Sequence, residues 1–421
     1  MEQNKNKANS FLVPLLIVMV LMFFWNMSRN INDVLIPHLK RACQLTDFQS
    51  SLVQSAFFGA YFLVALPSGW YIEKKGYRAG MVTGLLISAL GACIFYPAAE
   101  TRYYPFFLAA LFVMAAGFAL LEVTASPYIT KLGDPDGASG RLSLSAAIGS
   151  IGATIAPYLA SLLLLHKKDI PQETIKAFSP VELQSFLATE ANLVKLPYFS
   201  LAGLFIMMAV LLLFVKLPTI KDEENESGEK KAFSHIFRFH HTLYGVGAEF
   251  FYVGAEVGIV SFIIRYSKWL HLPGLTEQKA ALFITAFMGL VLVGRLGGAY
   301  ILNKIKPNIV LAFCSCGAFS MVTLAIFSDG YFSLCCLSIV GFFTSVIYPI
   351  IFSLSIKDLG GYTKTASSVF ILGIVGGAIV PPIMGYVSDV VGIKFSFIAP
   401  LVCYLYLLFF ALKGHEVKNK G

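Results

Sequence analysis

The chain has 421 residues, of which 57% are hydrophobic and only 13% charged, with a mean hydropathy of +0.73 and a formal net charge of +8. Soluble domains carry about 25% charged residues, so this composition excludes an ordinary soluble globular class. The basic surplus invites a nucleic-acid reading, but the charge is spread over short loops and none of them is large enough to fold.

Apolar runs long enough to cross a bilayer recur along the whole length. Twelve are expected, at about 11–36, 48–72, 79–98, 103–130, 142–165, 196–216, 243–269, 279–302, 308–327, 331–356, 366–388 and 393–412. The first has no small-residue cleavage site and runs on into Asp33, so it reads as a retained helix rather than a removed signal peptide. Twelve spans put both termini on one side. The loops on that side hold 19 of the Lys and Arg residues and the opposite loops hold 10, which makes the termini cytoplasmic.

The deep end of the first span is the most informative segment. In Asn26-Met-Ser-Arg29-Asn30-Ile-Asn32-Asp33, residues 26, 29, 30 and 33 fall at i, i+3, i+4 and i+7 and share one helical face. An acid in a lipid-spanning helix is costly and faces a bundle interior or an aqueous cavity. Two more acids recur inside later spans, Glu122 in the fourth and Glu256 in the seventh. Three acids at depth point to movement of something polar, with protons as a candidate co-substrate. A structural ion pair, with Arg29 or Arg295 for example, is the competing reading for Asp33 and Glu122.

Between the second and third spans the chain reads Gly69-Trp-Tyr-Ile-Glu73-Lys74-Lys75-Gly76-Tyr-Arg78. An acid beside basic residues at a helix end can pair with a neighbouring bundle and break that pair on rocking. The same loop also reads as a basic segment that only sets topology. The fifth span contains Gly149-x2-Gly152-x4-Pro157, and the eleventh repeats the spacing as Gly373-x2-Gly376-x4-Pro381. At equivalent places in a six-plus-six arrangement this suggests two parallel repeats whose glycines let helices approach closely.

Residues 218–238 are the most polar stretch and read as a cytoplasmic linker, with a six-helix bundle over 1–217 and another over 239–421. The expected fold class is therefore an all-α multi-pass membrane protein of twelve transmembrane helices in two six-helix bundles. Glu249 and Arg265, toward the ends of the seventh span, read as solvated or snorkelling groups. Six of the seven cysteines lie in apolar runs as small hydrophobes, and Cys43 sits in an outer loop without an obvious partner. No zinc spacing, phosphate-binding loop or nucleophile constellation is present, so neither a metal, a cofactor nor an enzymatic activity is expected.

The 69–78 loop resembles the signature loop of the major facilitator superfamily, with Glu73 at the usual Asp position, and Gly69, Glu73, Lys74, Gly76 and Arg78 are its gating residues by that resemblance. Longer stretches are similar to the fucose permease branch, the fucose–galactose–glucose:proton symporter family. They are Asn30–Pro37, Gln54–Phe62, Leu121–Tyr128, Phe251–Glu256 and Tyr348–Gly360. The resemblance implies a proton-linked carboxylate at Asp33 and a sugar-binding acid at Glu122. It also implies a monomeric transporter of the bacterial inner membrane, whose partners are a monosaccharide, protons and lipid. Where that branch carries a sugar-binding Gln and Asn after its fourth span, this chain has Ala146 and Gly149, and Glu256 is more similar to the glucose/galactose members.

A sugar presents hydroxyls on its edge and C–H groups on its faces, so its site needs convergent amides and carboxylates with aromatic walls. Candidate polar contacts are Asn26, Asn30, Asn32, Gln54, Glu122, Glu256 and Tyr348; candidate walls are Trp25, Phe24, Phe57, Phe251 and Tyr252. Asn26 and Gln54 also read as interhelical bridges. Replacing two amides by Ala146 and Gly149 is expected to enlarge that side of the cavity. The function expected is proton-coupled import of a hexose or 6-deoxyhexose such as fucose, glucose or galactose. A proton-independent facilitator or exporter, and a sugar sensor that does not transport, are the alternatives.

Overall fold

The computed structural model describes residues 2–132, 138–165, 178–215, 218, 238–302, 304–359 and 362–417. All but the ends of the expected 218–238 linker lies outside them. Every regular element among the described residues is helical. The helices are α1 (Glu2–Asn30), α2 (Asn32–Ala42), α3 (Asp47–Thr101), α4 (Tyr104–Lys131), α5 (Ala138–Leu164), α6 (Pro180–Asn192) and α7 (Lys195–Phe214). They continue with α8 (His240–Trp269), α9 (Glu277–Leu302), α10 (Pro307–Phe327), α11 (Gly330–Thr344), α12 (Ile347–Ser355) and α13 (Thr363–Ile371). A 3-10 turn at Leu372–Val375 leads into α14 (Gly376–Val390), α15 (Ile393–Ser396) and α16 (Ile398–Phe409).

Among the described residues, 11 helical stretches are long and apolar enough to cross a membrane. The expected second span, 48–72, forms the first part of α3, which carries two spans in one 55-residue run. The turn between them is made at Gly76, with φ +83° and ψ 166°. That left-handed backbone favours glycine, which explains how the 69–78 loop reverses the chain in so few residues. Arg78 then reaches the end of α7, its Nε donating to the Leu212 carbonyl at 2.9 Å and its Nη2 to that of Leu213. A helix C-terminus leaves such carbonyls unsatisfied, and an arginine there completes them.

The chain divides by packing into two compact units, residues 1–44 with 59–223, and residues 45–58 with 224–421. In the first, α1 packs most extensively on α5. A Cβ added to Gly152 would lie 2.4 Å from the Phe23 carbonyl oxygen, and one added to Gly149 would lie 2.8 Å from Asn26 Nδ2. In the second, the segment around the 3-10 turn packs on α8 in the same manner. A Cβ on Gly373 would lie 2.7 Å from the Val246 carbonyl, and one on Gly376 would lie 1.8 Å from that of Phe250. The repeated Gly-x2-Gly spacing thus marks the same contact in both halves, fifth span on first and eleventh on seventh. Helices in lipid associate through close backbone packing, because apolar burial gives little drive there.

Two expectations fail at the seventh span. Arg265 is only 6% exposed and Glu249 only 3%, so neither is solvated or snorkelling. Position along the sequence placed them near a membrane surface, but Glu249 packs against the Gly373 segment and Arg265 against the start of α3. Arg265 donates to the Ser261 carbonyl on its own helix and to Asp47 and Ser50 on α3. Cys43 is half-buried, its Sγ 4.0 Å from the Arg102 carbonyl, and burial pushes its thiol up to about 11.

If the glycine face holds α1, Gly152→Ala drives a methyl into backbone that cannot step aside. Overpacking of that kind costs about 1–3 kcal/mol, and the purified protein is expected to melt several degrees lower. Gly203, with no atom within 4 Å of an added Cβ, is the control. Gly203→Ala melts at or above the wild-type temperature. A Gly152→Ala protein as stable as the wild type would contradict the packing.

Candidate functional site

The first span has a one-residue interruption of its hydrogen-bond ladder just before its acid. Ser28 Oγ donates to the Phe24 carbonyl at 2.8 Å, Asn26 Nδ2 to Met22 at 2.9 Å and Asn30 Nδ2 to Asn26 at 2.8 Å. Each side chain bonds the carbonyl four residues back, in competition with the helix's own N–H groups, and such back-bonding bends helices. The helical hydrogen-bond ladder lapses for one residue at Ile31, whose φ of −65° and ψ of −29° stay helical, and resumes at Asn32. Asp33 lies in the first turn of α2 and is 8% exposed. Asn32 is 2% exposed, and neither atom of its amide group makes a hydrogen bond.

Around this interruption the first unit gathers one acid from α4 and aromatic partners from two other helices. The Tyr61 hydroxyl hydrogen-bonds to the Glu122 carboxylate, and Trp25 Nε1 donates to the Tyr61 oxygen at 3.4 Å. The Arg29 guanidinium lies 5.6 Å from the Tyr61 ring centre and within electrostatic reach of Glu122. Glu122 Oε2 is buried and makes no hydrogen bond. A buried acceptor left unmade costs about 1–3 kcal/mol, so this oxygen is ready for a donor.

The second unit repeats the pattern on α8. The Tyr252 hydroxyl hydrogen-bonds to Glu256, with Arg295 of α9 within electrostatic reach. Tyr404 of α16 brings a buried hydroxyl near Glu256, and it too makes no hydrogen bond. Each unit therefore holds a carboxylate tied to a tyrosine, with an arginine nearby.

The sequence-predicted residues divide between these settings. Asn26, Asn30, Asn32, Asp33 and Glu122 belong to the first unit; Gln54, Glu256 and Tyr348 belong to the second. Asn26 and Asn30 spend a donor on their own helix. Gln54 is buried, whereas Tyr348 is 42% exposed and stacks on Phe352 with ring centres 6.4 Å apart. Of the loop residues, Glu73 is exposed, Lys74 lies 3.9 Å over the Trp70 ring, and Arg78 holds α7 as described. Trp25 and Phe57 are buried, as walls would be.

One expectation is corrected. Gly149 does not leave a wider cavity, because the Asn26 amide fills the space a side chain there would take. A side chain there would have to move the Asn26 amide aside, since the nearest backbone atom, the Met22 carbonyl oxygen, is 3.7 Å away. Tyr61 was not among the sequence candidates. The available signal was a lone hydroxyl ending the apolar stretch Phe57-Phe-Gly-Ala-Tyr61, but only the fold shows that it meets Glu122.

Residues 16–374 match the model of the Major Facilitator Superfamily. A "Glucose/galactose transporter" of Brucella abortus biovar 1 is 37% identical over 397 residues, 94% of this chain and 93% of that protein. A "Putative glucose/galactose transporter" of Helicobacter pylori is 39% identical over 398 residues, 93% and 94% of the two chains. The crystal structure of the E. coli fucose:proton symporter is 35% identical and covers 96% of this chain and 98% of its own, with a TM-score of 0.70. The chain belongs to the major facilitator superfamily, a family of membrane transporters, and is a multi-pass membrane protein with that fold.

The Tyr61–Glu122 bond is testable without any ligand. In a double-mutant cycle of Tyr61→Phe and Glu122→Gln, unfolding in detergent should give a coupling of about 0.6–1.7 kcal/mol, the range measured for polar pairs between membrane helices. Strict additivity would mean that the two groups are not joined.

Proposed function

We propose that this protein is a secondary transporter that imports a monosaccharide together with protons by alternating access. The observation that carries the reading is Glu122, bound through one side to Tyr61, itself bonded by Trp25, and keeping a buried, unbonded Oε2. A sugar hydroxyl supplies the missing donor, and the indole supplies a wall for the ring's C–H face. Asn32, with a donor and an acceptor both unmet, matches hydroxyls that give and take hydrogen bonds. The named activities of the relatives, glucose/galactose transport and fucose–proton symport, support a hexose or 6-deoxyhexose as substrate.

In this reading Asp33 is the coupling carboxylate. It sits next to Asn32 just after the interruption, one turn from Arg29, where sugar and proton can be sensed together. Glu256 with Tyr252 and Tyr404 offers the second half's polar contacts, joined by Gln54 and Tyr348. The protein acts as a monomer in the bacterial inner membrane with both termini cytoplasmic. Residues 1–217 and 239–421 form the two bundles, joined by the linker at 218–238, and the 69–78 loop takes part in gating. Membrane lipid surrounds it, and no nucleic acid is bound.

Asp33→Asn removes the proton carrier while keeping the shape and hydrogen-bonding capacity of the side chain. Proteoliposomes of this variant should lose sugar accumulation driven by a proton gradient yet still bind sugar measurably by calorimetry. Wild-type accumulation by the variant would remove Asp33 from the coupling step.

A further inference from the structure

Glu190 is an acid buried where an acid is ordinarily exposed. It lies on α6, in the connection between the expected fifth and sixth spans. A carboxylate on such a connecting helix normally stands in water. The helix is built to form on its own: Ser179 and Glu182 close a capping box at its start, and Pro180 opens the first turn. Its buried residues are Leu187, Glu190 and Ala191, with Glu190 at 0% exposure.

The buried carboxylate is spent on α2. Arg41 Nε donates to Glu190 Oε2 at 3.2 Å, and His38 Nδ1 lies 3.8 Å from the same oxygen. The His38 ring is fully buried, beside the backbone carbonyls of Glu190 and of Leu164, the last residue of α5. Earlier in α6, Gln184 accepts from Arg102 Nη2, and the Arg102 carbonyl meets the thiol of Cys43 at the end of α2. The helix α6 is thus a strap across the ends of α2 and α3. Burying an ion pair adds little stability by itself, because desolvation offsets the attraction. Such a pair is better explained by the geometry it fixes.

What it grips is a helix with two weak points. Asp33 lies in the first turn of α2, and the ladder is thin on both sides of it. Before Asp33, the Ile31 N–H reaches the Ser28 carbonyl, three residues back, at 3.4 Å. After it, Pro37 has no N–H, so the rung from residue 37 back to residue 33 is missing and the proline ring crowds the preceding turn. A segment weakened at two places bends there, and its set depends on what holds its far end. His38 and Arg41 are five and eight residues beyond Asp33, about 8 and 12 Å further along the helix axis.

We infer that Glu190 is a positioning residue for Asp33: through Arg41 and His38 it fixes the tilt of α2, and so where the coupling carboxylate faces. The inference rests on the reading of Asp33 as that carboxylate. Glu190 itself touches neither sugar nor the transferred proton; it acts through the helix it holds.

The test uses the full-length protein with Glu190→Gln, which keeps the shape of the side chain and removes its charge. In proteoliposomes, sugar accumulation driven by a proton gradient should fall about tenfold, as a sub-ångström misplacement of a reacting group would give. Sugar counterflow, which needs no net proton movement, and sugar binding by calorimetry should stay at wild-type levels, with Glu190→Asp intermediate in accumulation. Asp33 is then read directly. A hydrophobic carbodiimide labels membrane carboxyls, and mass spectrometry of the peptide that carries Asp33 should show its labelling rate changed severalfold in Glu190→Gln. If that variant does not fold, Arg41→Lys, which keeps the charge and loses the guanidinium geometry, carries the same expectations. Unchanged labelling of Asp33 in a folded variant, or accumulation and counterflow that stand or fall together, overturns the proposal. If the unaltered protein accumulates no sugar, the sugar–proton reading fails instead, and the labelling still decides whether Glu190 positions Asp33.

Discussion

A carboxylate inside a bilayer must be bonded, paired or neutralised, and the architecture of both units follows from that requirement. Glu122 is met by the Tyr61 hydroxyl and by the field of Arg29, and Glu256 by Tyr252 and the field of Arg295. To bring these groups together, α1, α3 and α4 must pack closely, and so must α8, α9 and α16. Satisfaction is deliberately partial in chemical terms, since Glu122 Oε2, the Asn32 amide and the Tyr404 hydroxyl are buried without hydrogen bonds. A wholly satisfied network would be inert, whereas these groups favour any ligand that brings hydroxyls.

Close approach depends on residues with no chemistry of their own. Gly149 and Gly152 admit α1, and Gly373 and Gly376 admit α8, so the two halves solve one packing problem in one way. This explains why the loss of an amide at position 149 says little about the substrate. The Asn26 side chain already occupies that space, and any larger residue would have to displace it.

How much of this was legible in the sequence follows from the range of each signal. Spans are written in local hydropathy, and the Gly-x2-Gly spacing is written in periodicity, so both could be read directly. The depth of Asp33, Glu122 and Glu256 was equally plain, because an acid stands out in an apolar run. The partners were not. Tyr61 is one of many aromatic residues, and only tertiary contact singles it out; Tyr252 was read as an aromatic wall rather than as the partner of Glu256. Arg265 looked like a membrane-surface residue because position along a span says nothing about which neighbour a face meets. The polar face of residues 26–33 was read as helical and is so, Ile31 included, with its serine and asparagine side chains bonding back to the chain.

The account stands on the coupling of sugar movement to protons through these half-satisfied acids. Its most direct test is uptake by the unaltered protein in proteoliposomes under an imposed pH gradient, with radiolabelled D-glucose, D-galactose and L-fucose offered separately. Accumulation of at least one sugar above its external concentration, abolished by a protonophore, is the predicted result. Equilibration to the same level with and without the gradient, or binding without entry, would contradict it.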